Sequence, residues 1–177
     1  MRFTDFLKTA VLACGAAATA LAALAIVGIA AEDDPGLLAF AGGWWTIAAI
    51  IGAYLGRSAE TLPPIARLLS TARSTTSLPE QDKPGRVLTN RLWPLFVMLV
   101  VSGVLGLAAP QIPAIAAGFT IIWSLYWRRQ DGAVTAIEER DGVAFFVERT
   151  SPVKPMQLIR TPGVRRVAPP ALNGSSA

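Results

Sequence analysis

Leu92-Trp93-Pro94-Leu95-Phe96-Val97-Met98-Leu99-Val100-Val101 opens a run that stays apolar to Ala109 and turns at Pro110-Gln111-Ile112-Pro113. It is apolar again to Trp127, where Arg128-Arg129 ends it. No residue from Leu92 to Trp127 is charged. Each half is roughly 16 to 18 residues, close to the ~20 that cross ~30 Å of hydrocarbon as a helix. The stretch reads as a transmembrane hairpin, with spans at about 92–109 and 112–127.

The rest of the chain agrees with that reading. It is 53% hydrophobic and 16% charged, against ~45–50% apolar and ~25% charged in an average soluble domain. Mean hydropathy is +0.47. The apolar residues fall in blocks rather than at a period of 2 or 3.6. A single cysteine leaves no intrachain disulfide and no cysteine-rich metal site, and there is no histidine. That removes the imidazole base, the Ser-His triad, the usual haem ligand and the commonest zinc ligand. No cofactor or metal is expected.

Upstream of the hairpin lie two further apolar blocks. Arg2, Asp5 and Lys8 lead into an uncharged block at about 9–31. Its core of roughly 20 residues exceeds the ~7–15 of a signal peptide, so a retained helix is favoured over cleavage after Gly28-Ile29-Ala30. Cys14 reads as a small buried residue rather than a lipid attachment point. Glu32-Asp33-Asp34-Pro35-Gly36 forms a polar loop before the second block, about 37–56. There Gly42-Gly43-Trp44-Trp45 admits two readings. Either a helix starts near Gly36 with tryptophans facing its neighbours, or the span begins at an interfacial Trp44 and runs on to Leu62. Gly52 and Gly56 share a helix face, as do Gly15, Thr19 and Ala23, and both faces are candidates for close helix packing.

The linker, 57–91, carries Pro63-Pro64 and then Ile65, Leu68, Leu69 and Ala72 at helical spacing, which predicts an amphipathic helix lying among headgroups. Beyond the fourth span, residues 133–139 suit a strand, Asp141-Gly142 suits a turn, and Val143 to Glu148 suits a second strand. A small β-hairpin tail over 130–166 follows, with a disordered end at 167–177. Phe145 and Phe146 point to opposite faces of a strand, making them the candidate partner-docking residues or, equally, a cap on the protein's own bundle. Ser151-Pro152-Val153-Lys154-Pro155 carries a low-specificity PxxP spacing.

Charge sets the expected orientation. All 16 Lys and Arg lie in the lead, the linker or the tail, and none lies in the loops 32–36 and 110–113. With four spans these three segments share one side, and basic flanks favour the cytoplasm. The expectation is a bacterial-type inner-membrane protein with both termini inside. The +4 net charge is then a topology signal and not a nucleic-acid footprint. Arg57, Arg67, Arg73, Arg91, Arg128 and Arg129 are candidate lipid-headgroup contacts.

The resulting fold class is an all-α integral membrane protein. Four transmembrane helices in two hairpins, residues 1–129, are followed by the small tail. The span interiors hold no Asp, Glu, Lys, Arg or His, which argues against a proton relay or charged conduction path. No phosphate loop, paired-carboxylate motif or metal-ligand spacing is present. The leading function is a non-catalytic accessory, scaffold or assembly protein that docks a membrane-protein partner through its tail. Alternatives are a small oligomeric transporter or channel for a neutral or lipidic solute, and an interfacial lipid-processing enzyme using Glu60 or Arg129.

Overall fold

Phe3–Glu32 forms one unbroken helix, α1, of 30 residues. At ~1.5 Å per residue it is roughly 45 Å long, half again the hydrocarbon thickness. The chain reverses at Asp33, which adopts the left-handed conformation (φ 52°). The Asp34 carboxylate then accepts the Gly36 backbone N–H at 2.8 Å, at the start of α2, Pro35–Arg57. After the short strand β1, Arg73–Ser74, come α3, Pro84–Leu105, and α4, Gln111–Asp141. Strands β2, Val143–Val147, and β3, Leu158–Pro162, complete the order. The computed structural model describes residues 1–57, 72–74, 84–147 and 158–162. Most of the expected amphipathic linker helix, the PxxP segment and the 167–177 end lie outside them.

Among the described residues, three helices, Phe3–Glu32, Pro35–Leu55 and Gly85–Leu105, are long and apolar enough to cross a membrane. The expected fourth block sits inside α4, where Pro113, Gly118, Thr120 and Ser124 dilute its hydropathy. Those same small or polar residues suit its position, because α4 is the helix the others close around. It runs antiparallel to α1 along most of its length. Ala114 meets Ala25 and Ile29 at one end, and Trp127 lies 5.8 Å from Phe6, ring to ring, at the other. Helix α2 runs parallel to α4, with Ala41 in the Ala114 cluster and Gly52 beside Ile122 and Leu125. Helix α3 leans on the α1–α4 pair, with Leu95 against Cys14 and Ala17. The two sequence-adjacent hairpins are therefore not the packing units; α1 with α4, and α4 with α2, are. Ala25, Ala41 and Ala114 are fully buried, and such small side chains let three backbones approach closely, which is how helices associate where lipid offers no hydrophobic contrast.

Two boundaries differ from expectation. Helix α3 begins at Pro84, not near Leu92, so Pro94 falls well inside it. Proline fits a first helical position, which Pro84 takes, and an interior proline is tolerated in a membrane helix because its neighbours support it. Residues 133–139, expected as a strand, continue α4 to Asp141. Trp127, Gln130, Val134 and Ile137 recur at helical spacing, and Gln130 and Val134 are buried. The period of 3.6 therefore wins over local β propensity. Gly142 (φ 61°) closes the helix in the left-handed conformation, its N–H donating to the Glu138 carbonyl, so the glycine signal marks a helix stop and not a hairpin turn.

β2 is a strand as expected, but it pairs antiparallel with β3 (Phe145 opposite Arg160, Phe146 opposite Ile159). β1 adds to β3 in parallel, giving the order β1-β3-β2. On its other edge β2 meets the N-terminal segment. Arg2 bridges Phe146, and the Val147 N–H donates to the Met1 carbonyl at 3.1 Å. The lead, the linker and the tail thus meet at one end of the bundle and form a cap. The two turns that carry no basic residue meet at the opposite end, where Gly28 leaves room for the Pro110 ring.

Candidate functional site

The cap is built on aromatic residues contributed by the helix ends beneath it. Phe3, Phe6 and Leu7 of α1, Val87 of α3, Val134 of α4, and Phe145, Val147 and Leu158 of the sheet form one buried cluster, with Trp127 packed against it. Phe3 and Phe6 stack at 6.4 Å. Phe145 is 2% exposed and Phe146 8%. The two candidate docking residues are thus spent inside the chain, where their apolar area is already withdrawn from water, and the capping alternative describes them. The Glu138 carboxylate accepts the Phe145 backbone N–H at 3.0 Å, and the Thr161 hydroxyl donates to the Ala144 carbonyl at 3.2 Å. These bonds tie the sheet to α4 and to itself.

Between the α1 start, the α4 end and β2 lies a polar cleft of about 460 Å³ lined by Arg2, Asp5, Lys8, Thr135, Glu138 and Glu139, among others. Its two bases and three acids balance closely, and Glu138 is already engaged with the strand. Among the described residues, no group of three or more acids, cysteines or histidines could hold a metal. On the cap surface, Arg140 Nε donates to Asp141 Oδ1 at 2.9 Å. That hydrogen bond holds the exposed Asp141 carboxyl below its usual range.

A second cavity, about 310 Å³, lies one to two helical turns below the cap, between α1, α3 and α4. Cys14, Arg91, Leu92, Pro94, Leu95, Trp123 and Trp127 line it. Every wall but Arg91 is apolar or aromatic. The Arg91 Nε and Nη2 atoms are buried without a hydrogen-bond partner among the described residues. Most buried polar atoms are paired, so a bare guanidinium face calls for an explanation.

The remaining candidates divide. Arg128 and Arg129 are exposed just past Trp127, where headgroup contacts were expected. For Arg57 and Arg73 the structure gives the backbone alone, and Arg67 and Glu60 lie outside the described residues. Gly52 is a packing glycine within the chain: a Cβ there would come within 3.0–3.1 Å of Leu125 and the Ile122 backbone. Gly56 belongs to α2 but its surroundings are not described. The stripe expected from Gly15, Thr19 and Ala23 is not the face that α1 packs within the chain, since Thr19 and Ala23 are exposed. Ala10, Cys14, Ala17, Leu21 and Ala25 carry that face instead.

Two tryptophans fasten α2 to α4. Trp44 Nε1 donates to the Ile115 carbonyl at 3.0 Å and Trp45 Nε1 to the Ala114 carbonyl at 2.9 Å. Of the two readings of this segment, the helix starting near Gly36 with inward-facing tryptophans is the one observed. A Cβ on Gly118 would collide with the Trp44 indole, so glycine there lets the ring reach the α4 backbone. Ala114 and Gly118, four apart, were the available signal. Comparison with protein-family models, with curated proteins and with solved structures found no match to this chain.

Proposed function

We propose that the protein is a four-span membrane protein with cap and both termini on the cytoplasmic side of a bacterial-type inner membrane. There it serves as a non-catalytic accessory, scaffold or assembly component. The orientation rests on the basic lead, linker and tail converging on one end of the bundle, as basic flanks favour the cytoplasm. The accessory reading rests on one observation. The described extramembranous residues build a cap locked to the bundle by Phe3, Phe6, Phe145 and Trp127.

With Phe145 and Phe146 buried, docking falls to the charged outer surface of the tail, where Arg140 and Arg160 are exposed. Removing the two tail strands would not test this, because it would strip Phe145, Val147 and Leu158 from the cap core. The sharper test is gentle extraction of the native protein, followed by sizing and identification of what accompanies it. Wild type is to be compared with Arg140→Glu combined with Arg160→Glu. A stoichiometric foreign protein that the paired variant loses, while still folded, is the expected result. A homo-oligomer alone, unchanged by the variant, would overturn the reading in favour of the transporter.

A further inference from the structure

We infer that the Arg91 cavity is a binding site for one anionic phospholipid, with its phosphate on Arg91 and an acyl chain along Leu95 and Trp123. Three observations converge on it. The first is the donor. Arg91 Nε and Nη2, two neighbouring donors of one guanidinium, are both withdrawn from solvent and both unpaired among the described residues. A guanidinium presents such donors as a planar fork that matches a phosphate's two oxygens, and a buried cation without an anion is costly. The second is the wall. Leu92, Pro94, Leu95, Trp123, Trp127 and Cys14 offer hydrocarbon to the ligand, which suits an amphiphile and not a free, fully hydrated oxyanion.

The third is depth. Val87, one turn before Arg91, belongs to the cap core, and Trp127 packs against that core. Leu95, one turn beyond Arg91, packs with Cys14 and Ala17 in the apolar part of the bundle. The cavity therefore straddles the headgroup boundary, with its cation at the polar end. Pro94 is exposed and Trp123 is 42% exposed, so the mouth is on the side of the bundle, where lipid lies. Cationic pockets between membrane helices near the cytoplasmic face recognise lipid headgroups in this way. Arg128 and Arg129 are exposed and provide only a diffuse field; Arg91 provides the fixed contact. The inference depends on membrane residence and not on the partner-docking reading, so either can fail alone.

The test is native mass spectrometry of the full-length protein in detergent, titrated with phosphatidylglycerol or phosphatidylcholine of matched chains. Wild type is expected to retain one phosphatidylglycerol in preference to phosphatidylcholine. Arg91→Gln is expected to weaken that retention by about 10-fold or more, the scale of a charge-assisted hydrogen bond. Arg91→Lys keeps the charge without the fork and is expected to fall between, while Arg140→Gln, on the cap surface, is expected to match wild type. Inorganic phosphate at millimolar concentration is not expected to displace the lipid. Equal retention of both lipids by wild type would overturn the assignment even if no variant folds. So would an Arg91→Gln variant that binds as wild type does. Complete displacement by inorganic phosphate would reassign the cavity to a free oxyanion and reject the lipid.

Discussion

At the residue scale the bundle depends on glycines and alanines used as absences. Gly118 is the clearest case, because the space its missing side chain leaves is filled by the Trp44 ring, whose N–H reaches the α4 backbone. An indole N–H facing hydrocarbon without an acceptor would carry a desolvation cost. Gly118→Ala should therefore destabilise by about 1–3 kcal/mol, the usual range for overpacking. Gly43, in the same region of α2, has open space around it, so Gly43→Ala should change stability by no more than about 0.5–1 kcal/mol, in the stabilising direction. Thermal unfolding of both variants in one detergent checks the contrast, and equal losses would sink it. Phe145 gives a second residue-level test. Truncation of a buried phenylalanine typically costs about 3–5 kcal/mol, and Phe145→Ala should show that loss in purified protein without any partner. Unchanged stability together with a lost partner would restore Phe145 as a docking residue.

At the element scale α4 matters most, because it carries a half packed between α1 and α2 and a cap half in one helix. Ala136 is exposed on the second half, so Ala136→Pro removes little but backbone geometry. Interior proline costs a helix about 3 kcal/mol or more, and the cap should loosen accordingly. Amide exchange over residues 133–141 reads this directly: protection that survives the substitution would contradict a continuous helix. This element also shows what the sequence could and could not convey. Three of the four apolar blocks announced helices long and apolar enough to cross a membrane, because that property needs nothing but composition and length. The turns at Asp33 and Pro110 were legible from polar and proline residues. The fate of 133–141 was not, since Ala-Val-Thr-Ala-Ile is compatible with a strand locally. Only the surroundings of Val134 and Ile137, supplied by Phe6 and Trp127, select the helix. The strand at Val143–Val147 was legible, but its partner Leu158–Pro162 was not, because pairing over that distance leaves no local pattern. The Arg91 cavity was half legible: the arginine stood out at a span's edge, but its bare donors exist only once α1, α3 and α4 are assembled.

At the scale of the whole molecule the chain is organised as a helical bundle closed at one end. The described parts of the lead, linker and tail bring Arg2, Lys8, Arg140 and Arg160 to that end, and the acidic turn at Glu32–Asp34 and the turn at Pro110 mark the other. Packing makes α4 the centre although it is the least apolar of the four helices. A central helix surrounded by others need not be soluble in lipid by itself, and the exposed apolar surface falls mostly to α2 and α3. Ile50, Tyr54, Val100 and Val104 are all more than 60% exposed, a pattern suited to hydrocarbon and costly in water. In the proposed topology all four helices cross, leaving cap and acidic turn on opposite sides. Single-cysteine labelling tests it most directly, because the chain's lone cysteine, Cys14, is buried and can be replaced by alanine. In that background, Asp33→Cys and Arg160→Cys are each treated with a membrane-impermeant maleimide on intact cells, before and after permeabilisation. Cysteine at 33 should label on intact cells and cysteine at 160 only after permeabilisation. Labelling of both from the same side would mean that at least one of α2, α3 and α4 does not cross, and would overturn the four-span topology.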